Sequence, residues 1–206
     1  MVEKCLTLKM VLDIQRALRN GRPIADAVAS LTQASLAGIM EYGCLRWTIP
    51  DAAPALPSAI VSSALGMALQ EVKSPLGLRQ HGAGQAPILD TNPREFEFFV
   101  ISEVADVVDN RLFGAYLLRF EFGSKRIGLP AKTTVKLQAA MHEMAVNAVT
   151  HAKAPIAALI GYEVRGSSAT FCVADVGIGV LKSLRGNPAF SQLSIHSEAI
   201  RLALQE

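Results

Sequence analysis

The sequence predicts an α+β fold, with a helical N-terminal module followed by helices stacked on a sheet. Three observations predict it. Residues 8–73 carry apolar positions at helical spacing, punctuated by Pro and Gly. Residues 156–164 and 169–174 are strand-like runs joined by Arg165-Gly166-Ser167-Ser168, a hairpin turn. Before them, residues 133–151 form a long helical pattern with one polar face. The composition fits this class: 50% hydrophobic and 18% charged residues in a chain of 206 exclude a disordered tail and can fill a substantial core.

In chain order, residues 8–18 read as a helix stopped by Asn20-Gly21-Arg22-Pro23, and residues 24–42 as a second helix ended by Gly43. Leu45-Arg46-Trp47-Thr48-Ile49 alternates like a short strand. Pro50, Pro54 and Pro57 then interrupt regular structure until a helix over 58–73. Residues 74–93, with Gly77, Gly82, Gly84 and three prolines, hold neither period and read as a linker. This sets a helical module of unassigned role at 1–93 and a second domain at 94–206. Within the second domain, residues 95–125 are mostly helical by spacing, with a break near Asp109-Asn110. Residues 127–130 turn the chain before the helix at 133–151, and a final helical stretch spans 191–205.

A formal net charge of +2, with no basic run, gives no reason to expect nucleic acid as a partner. Nor do the first nine residues contain a signal-peptide core, and no long uncharged apolar run follows. A cytoplasmic location without a membrane span is therefore expected. Cys5, Cys44 and Cys172 are widely separated, without a C-x-x-C pair or a neighbouring His, and read as reduced thiols.

Two motifs carry chemistry. Glu143, Asn147 and His151 recur every fourth residue, so their side chains leave one face of the helix a turn apart. Alone, such a stripe is the ordinary solvated side of an amphipathic helix. The second motif, Asp175-Val176-Gly177-Ile178-Gly179, closes the second strand and puts a carboxylate ahead of two residues free to adopt left-handed backbone angles. By composition a D-x-G-x-G arises by chance in about 5 in 100 chains of this length. Its position after helix, strand, hairpin and strand adds weight.

The string His142-Glu143-Met144-Ala145-Val146-Asn147-Ala148-Val149-Thr150-His151-Ala152, followed by Val173-Ala174-Asp175-Val176-Gly177-Ile178-Gly179, resembles the N-box and first glycine box of the GHKL ATP-binding superfamily. That superfamily includes gyrase-type topoisomerases, heat-shock chaperones, histidine kinases, mismatch-repair ATPases and anti-sigma-factor serine kinases. The likeness spans roughly residue 112 to the end, and its E-x-x-x-N-x-x-x-H-A string is most similar to the histidine-kinase and anti-sigma serine-kinase branches. It implies a two-layer α/β sandwich, with helices on one face of a mixed sheet, that binds ATP and Mg²⁺ and acts as an ATPase or protein kinase in bacterial-type signalling. Under this resemblance Asn147 is the magnesium ligand through its amide oxygen, and Glu143 is the catalytic carboxylate that orients or deprotonates the nucleophile. Asp175 accepts from the adenine amine, Gly177 and Gly179 let the backbone close over the base, and His151 either helps position the nucleotide or caps the helix end.

Departures from the family pattern shape the alternative. Thr150 stands where the histidine kinases often have a basic residue, and no second glycine-rich box follows Gly179. The chain therefore reads as a fragment of a longer protein or as a degenerate member, and the fragment is preferred because the final helical stretch ends without a stop signal. Residues 1–206 are expected to bind ATP weakly. The helices before residue 80 contain no histidine, so a phosphoacceptor helix of the histidine-kinase kind is not expected. A non-catalytic protein-interaction or regulatory protein with a degenerate ATP-binding fold is the alternative. A protein partner, regulator or phosphoacceptor is expected, with a homodimer left open.

Overall fold

A computed structural model of the chain describes residues 5–49, 51–71, 93–108, 110–152 and 158–203. The fold is α+β, with a small antiparallel sheet and flanking helices. β1 (Cys5–Leu6) leads into α1 (Leu8–Arg19), whose N-terminus is capped by Thr7 Oγ1 accepting from the Met10 N–H at 3.3 Å. After α2 (Ala25–Ala29), β2 (Gln33–Ala34) pairs in parallel with β1. Ser35 then caps α3 (Leu36–Thr48): its Oγ accepts from the Gly38 N–H at 3.1 Å and donates to the Leu6 carbonyl at 3.2 Å. This ties the start of α3 to β1 so closely that a Cβ on Gly38 would lie 2.0 Å from the Leu6 oxygen.

The strand expected over Leu45–Ile49 is instead the last turn of α3, and Gly43 lies inside that helix rather than ending it. Its Thr48 hydroxyl returns to the Cys44 and Leu45 carbonyls, a helical side-chain bond that the alternating composition concealed. Likewise, the helix expected over 24–42 is interrupted at 30–35 by β2 and the Ser35 cap. That over 58–73 divides into α4 (Ser58–Val61) and α5 (Ala64–Glu71), where Ser62 and Ser63 turn their hydroxyls onto the Ser58 and Ile60 carbonyls. Except for Pro93, the linker at 74–93 lies outside the described residues.

The main sheet has the order β3-β4-β5: β3 (Phe96–Ile101), β4 (Ala158–Arg165) and β5 (Ser168–Asp175), all antiparallel. Two expectations change here. The mostly helical reading of 95–125 gives way to β3 followed by α6 (Arg111–Arg126), which begins at the Asn110 cap, next to the predicted break. Phe-Glu-Phe-Phe-Val-Ile is buried on both sides, with Glu97 held by Arg119 and Tyr162 and the other five residues apolar, so it shows no period of two. The mixed sheet is also absent from the described residues: these three strands are antiparallel throughout. β4 and β5 are joined through Gly166-Ser167, with Gly166 at φ +61° as a two-residue hairpin requires.

Helices cover both faces of the sheet rather than one. On one face, Phe98, Val100, Leu159 and Ala174 join Ile39, Met40 and Ile60 of the N-terminal helices. Gly161 makes this approach possible, since a Cβ there would lie 2.7 Å from the Phe98 ring and 2.8 Å from Met40 Sδ. On the other face, Phe99, Ile160, Tyr162 and Val164 pack with Phe113, Tyr116 and Phe120 of α6 and with Met141 and Ala145 of α7 (Ala131–Ala152). Three short helical segments follow β5: α8 (Val180–Leu184), a 3-10 turn at Pro188–Phe190, and α9 (His196–Ala203), which lies within the helical stretch expected over 191–205.

Candidate functional site

α7 contributes the polar stripe. Met141 and Ala145 are fully buried toward the sheet. Successive residues turn by about 100°, which puts Glu143 almost opposite Met141 and carries Asn147 and then His151 round toward the helix flank. Glu143 and Asn147 are exposed and bonded to each other: Asn147 Nδ2 donates to Glu143 Oε1 at 3.2 Å. That bond orients the amide and leaves Asn147 Oδ1 without a donor among the described residues. A neutral, hard oxygen presented to solvent suits a Mg²⁺ ion whose other ligands come from a phosphate group. No group of three or more His, Cys, Asp or Glu side chains able to hold a metal occurs among the described residues. Asn147 would therefore be a single protein ligand beside those of the bound phosphates.

β5 contributes the loop. Its alternation places Asp175 on the same side as Ala169, Phe171 and Val173, which pack into the α6–α7 core, while Ala174 faces the N-terminal helices. Asp175 is exposed at the strand end, and its Oδ1 accepts from the Gly177 N–H at 2.8 Å. This is an Asx turn, and it holds the loop while Oδ2 remains a further acceptor. Gly179 at φ +76° then starts α8, a conformation that disfavours any side chain at that position.

α7 packs on β5 and on α8. The two motifs meet through His151, whose Nδ1 lies 3.4 Å from Ser183 Oγ on α8. Sequence reasoning passed over Ser183. The available signal was the left-handed Gly179, which starts a short helix pointing back toward α7. Between Glu143 or Asn147 and Asp175 there is no hydrogen bond or ion pair among the described residues. The arrangement is thus an open flank, bounded by the end of α7 on one side and the Asp175–Gly179 loop on the other. Behind the loop, Cys44 of α3 is buried; burial first, then the nearby Glu41, Asp175 and Cys172, push its thiol up to about 12. Cys172 is also raised, by burial and by Glu41. Both thiols are protonated at neutral pH and unreactive.

Comparison of the chain with protein-family models, curated proteins and solved structures finds no match. No helix of the described residues is long and apolar enough to cross a membrane.

Proposed function

We propose that the chain is an adenine-nucleotide-binding module of the GHKL kind, serving an ATPase or protein-kinase activity in signalling. One observation carries the reading: the loop after β5 and the polar flank of α7 lie on the same side of the sheet, linked by His151 and Ser183. In this reading Asp175 Oδ2 accepts from the adenine amine while Oδ1 keeps the loop closed on Gly177. Gly177 and Gly179 leave room for the base. Asn147 holds Mg²⁺ through Oδ1, and Glu143, bonded to the Asn147 amide, both orients it and is the carboxylate available to accept a proton from a nucleophile. Magnesium, when bound, would neutralise phosphate charge. His151 holds the end of α7 to α8.

Calorimetry with Mg-ATP and Mg-GTP tests this. One base-edge contact plus burial of a purine supports a dissociation constant in the millimolar to high-micromolar range, about 4 to 6 kcal/mol. ATP should be preferred over GTP, because a guanine carbonyl cannot donate to Asp175. Asp175→Asn should remove that preference, and Asn147→Ala the Mg²⁺ dependence. Equal binding of both nucleotides by the chain and by both variants would refute the assignment. A second reading, a non-catalytic interaction protein, is favoured by the absence of any direct link between Glu143–Asn147 and Asp175 among the described residues. It predicts no thermal stabilisation by Mg-ATP, whereas a ligand at 100 times its Kd adds about 2.7 kcal/mol.

A further inference from the structure

Neither the sheet nor the N-terminal helices cover the outer side of the α6–α7 layer among the described residues. Two contacts set its register. Gln138 Nε2 donates to the Leu117 carbonyl at 2.9 Å, and the Phe113 and His142 rings lie 6.1 Å apart. The helices therefore run antiparallel, and Val135 of α7 lies level with the interval between Leu118 and Phe122 of α6. These three apolar side chains are 60%, 42% and 39% exposed. Leu118 and Phe122 are one turn apart on the outward stripe of α6.

Cations border the three. Lys125 Nζ sits 5.7 Å above the Phe122 ring, and Lys132 and Lys136 follow one turn apart on the outer face of α7. Glu121 is already paired with Lys125 at 2.5 Å. From residue 127 to residue 142 there is no carboxylate in the sequence. The positive end of the α7 dipole adds to the same potential.

We infer that this face docks an acidic amphipathic helix of a partner protein, independently of the nucleotide reading. Two packed antiparallel helices present a groove into which a third helix fits, and its apolar side chains at i, i+3, i+4 and i+7 would cover Leu118, Phe122 and Val135. Its carboxylates would meet Lys132 and Lys136, since Lys125 is held by Glu121. Exposed rim charges of this kind give orientation and association rate more than affinity. A membrane surface fits less well, because a membrane-lying helix carries a long, continuous strip of large apolar side chains, and here the apolar centre is short and lies between two helices.

The test adds three probes to the full chain: a labelled helical Leu/Glu peptide with leucine at i, i+3, i+4 and i+7, its Leu/Lys counterpart, and phosphatidylserine/phosphatidylcholine vesicles. Fluorescence anisotropy should report binding of the Leu/Glu peptide, weakening as salt shortens the range of the charges. Lys132→Glu with Lys136→Glu should weaken it about tenfold, and Val135→Ser should weaken it without altering the salt dependence. Circular dichroism melts of these surface variants should match the parent. Equal binding of the two peptides, no binding of the Leu/Glu peptide, or unchanged binding by both variants overturns the inference. Sedimentation with vesicles without peptide binding overturns it in favour of a membrane surface.

Discussion

The buried polar centre beneath β3 offers the sharpest test of the core. Arg119 of α6 donates Nε to Glu97 Oε2 at 2.8 Å and Nη2 to Oε1 at 2.5 Å, and the Tyr162 hydroxyl donates to the same Oε2 at 2.8 Å. Glu97 and Arg119 are 8% and 9% exposed, so water replaces a lost partner poorly. Arg119→Met keeps the apolar stem but leaves the carboxylate with the tyrosine as its remaining partner in this triad. Breaking a buried pair from one side costs about 3–5 kcal/mol, and with this slight exposure about 3 kcal/mol is expected. With a urea m-value of about 2–3 kcal/mol/M, the midpoint should fall by about 1–1.5 M. The decisive comparison is the triple variant Glu97→Met, Arg119→Met, Tyr162→Phe, which removes the charge and both its partners together. It should be more stable than Arg119→Met alone, because no buried charge is stranded. A midpoint shift below about 0.3 M for Arg119→Met, or a triple variant less stable than the single one, would refute this account.

Three other outcomes follow from neighbouring features. Tyr116 is fully buried, and its hydroxyl has no partner among the described residues; Tyr116→Phe should therefore leave stability in urea unchanged or raise it by up to about 1 kcal/mol. Gly161→Ala should cost about 1–3 kcal/mol in the same assay, because its Cβ meets Phe98 at 2.7 Å and Met40 at 2.8 Å; a neutral result would mean that α3 does not press on the sheet. The Cys44 thiol is raised to about 12 and Cys172 is raised too, so the unfolded chain loses these protons first. The Cys44 contribution to stability is complete below about pH 8.5 and falls by up to about 1.4 kcal/mol per pH unit above it, until the folded-state thiol itself titrates. Urea titrations between about pH 8.5 and 10 should give a shallower slope for Cys44→Ala, and an unchanged slope would contradict the burial of that thiol.

Where local period and local chemistry coincide, the sequence was sufficient. The α7 helix, the β4–β5 hairpin and the break ahead of α6, marked by the Asn110 cap, follow from apolar spacing, turn residues and capping. Misreadings arose where tertiary contact decides the outcome. Leu45–Thr48 alternates in composition but continues a helix anchored at Ser35 and packed on the sheet. β3 shows no alternation because Phe98 and Val100 face one core while Phe99 and Ile101 face the other. Covering the second face of the sheet with the N-terminal helices depends on the close approach at Gly161, and a single glycine in sequence does not announce what lies against it.

The candidate site divides in the same way. Four-residue spacing is enough to put Glu143, Asn147 and His151 on neighbouring positions of one helix, and strand alternation is enough to give Asp175 its side of the sheet. Neither fixes the distance between the two sets. The inward direction of α7 is set by Met141 and Ala145, so the stripe begins opposite the sheet at Glu143 and comes round toward the loop by His151. A ligand engaging both motifs must therefore approach along the flank at the end of α7, past His151 and Ser183, rather than over the crest at Glu143. Asn147 lies between these two directions, and its amide oxygen is the group on which a shared ligand would depend. For that reason the Asn147 and Asp175 substitutions, taken together, discriminate a joined nucleotide site from two independent surface features: in a joined site their effects on Mg-ATP binding couple, and in separate features they add.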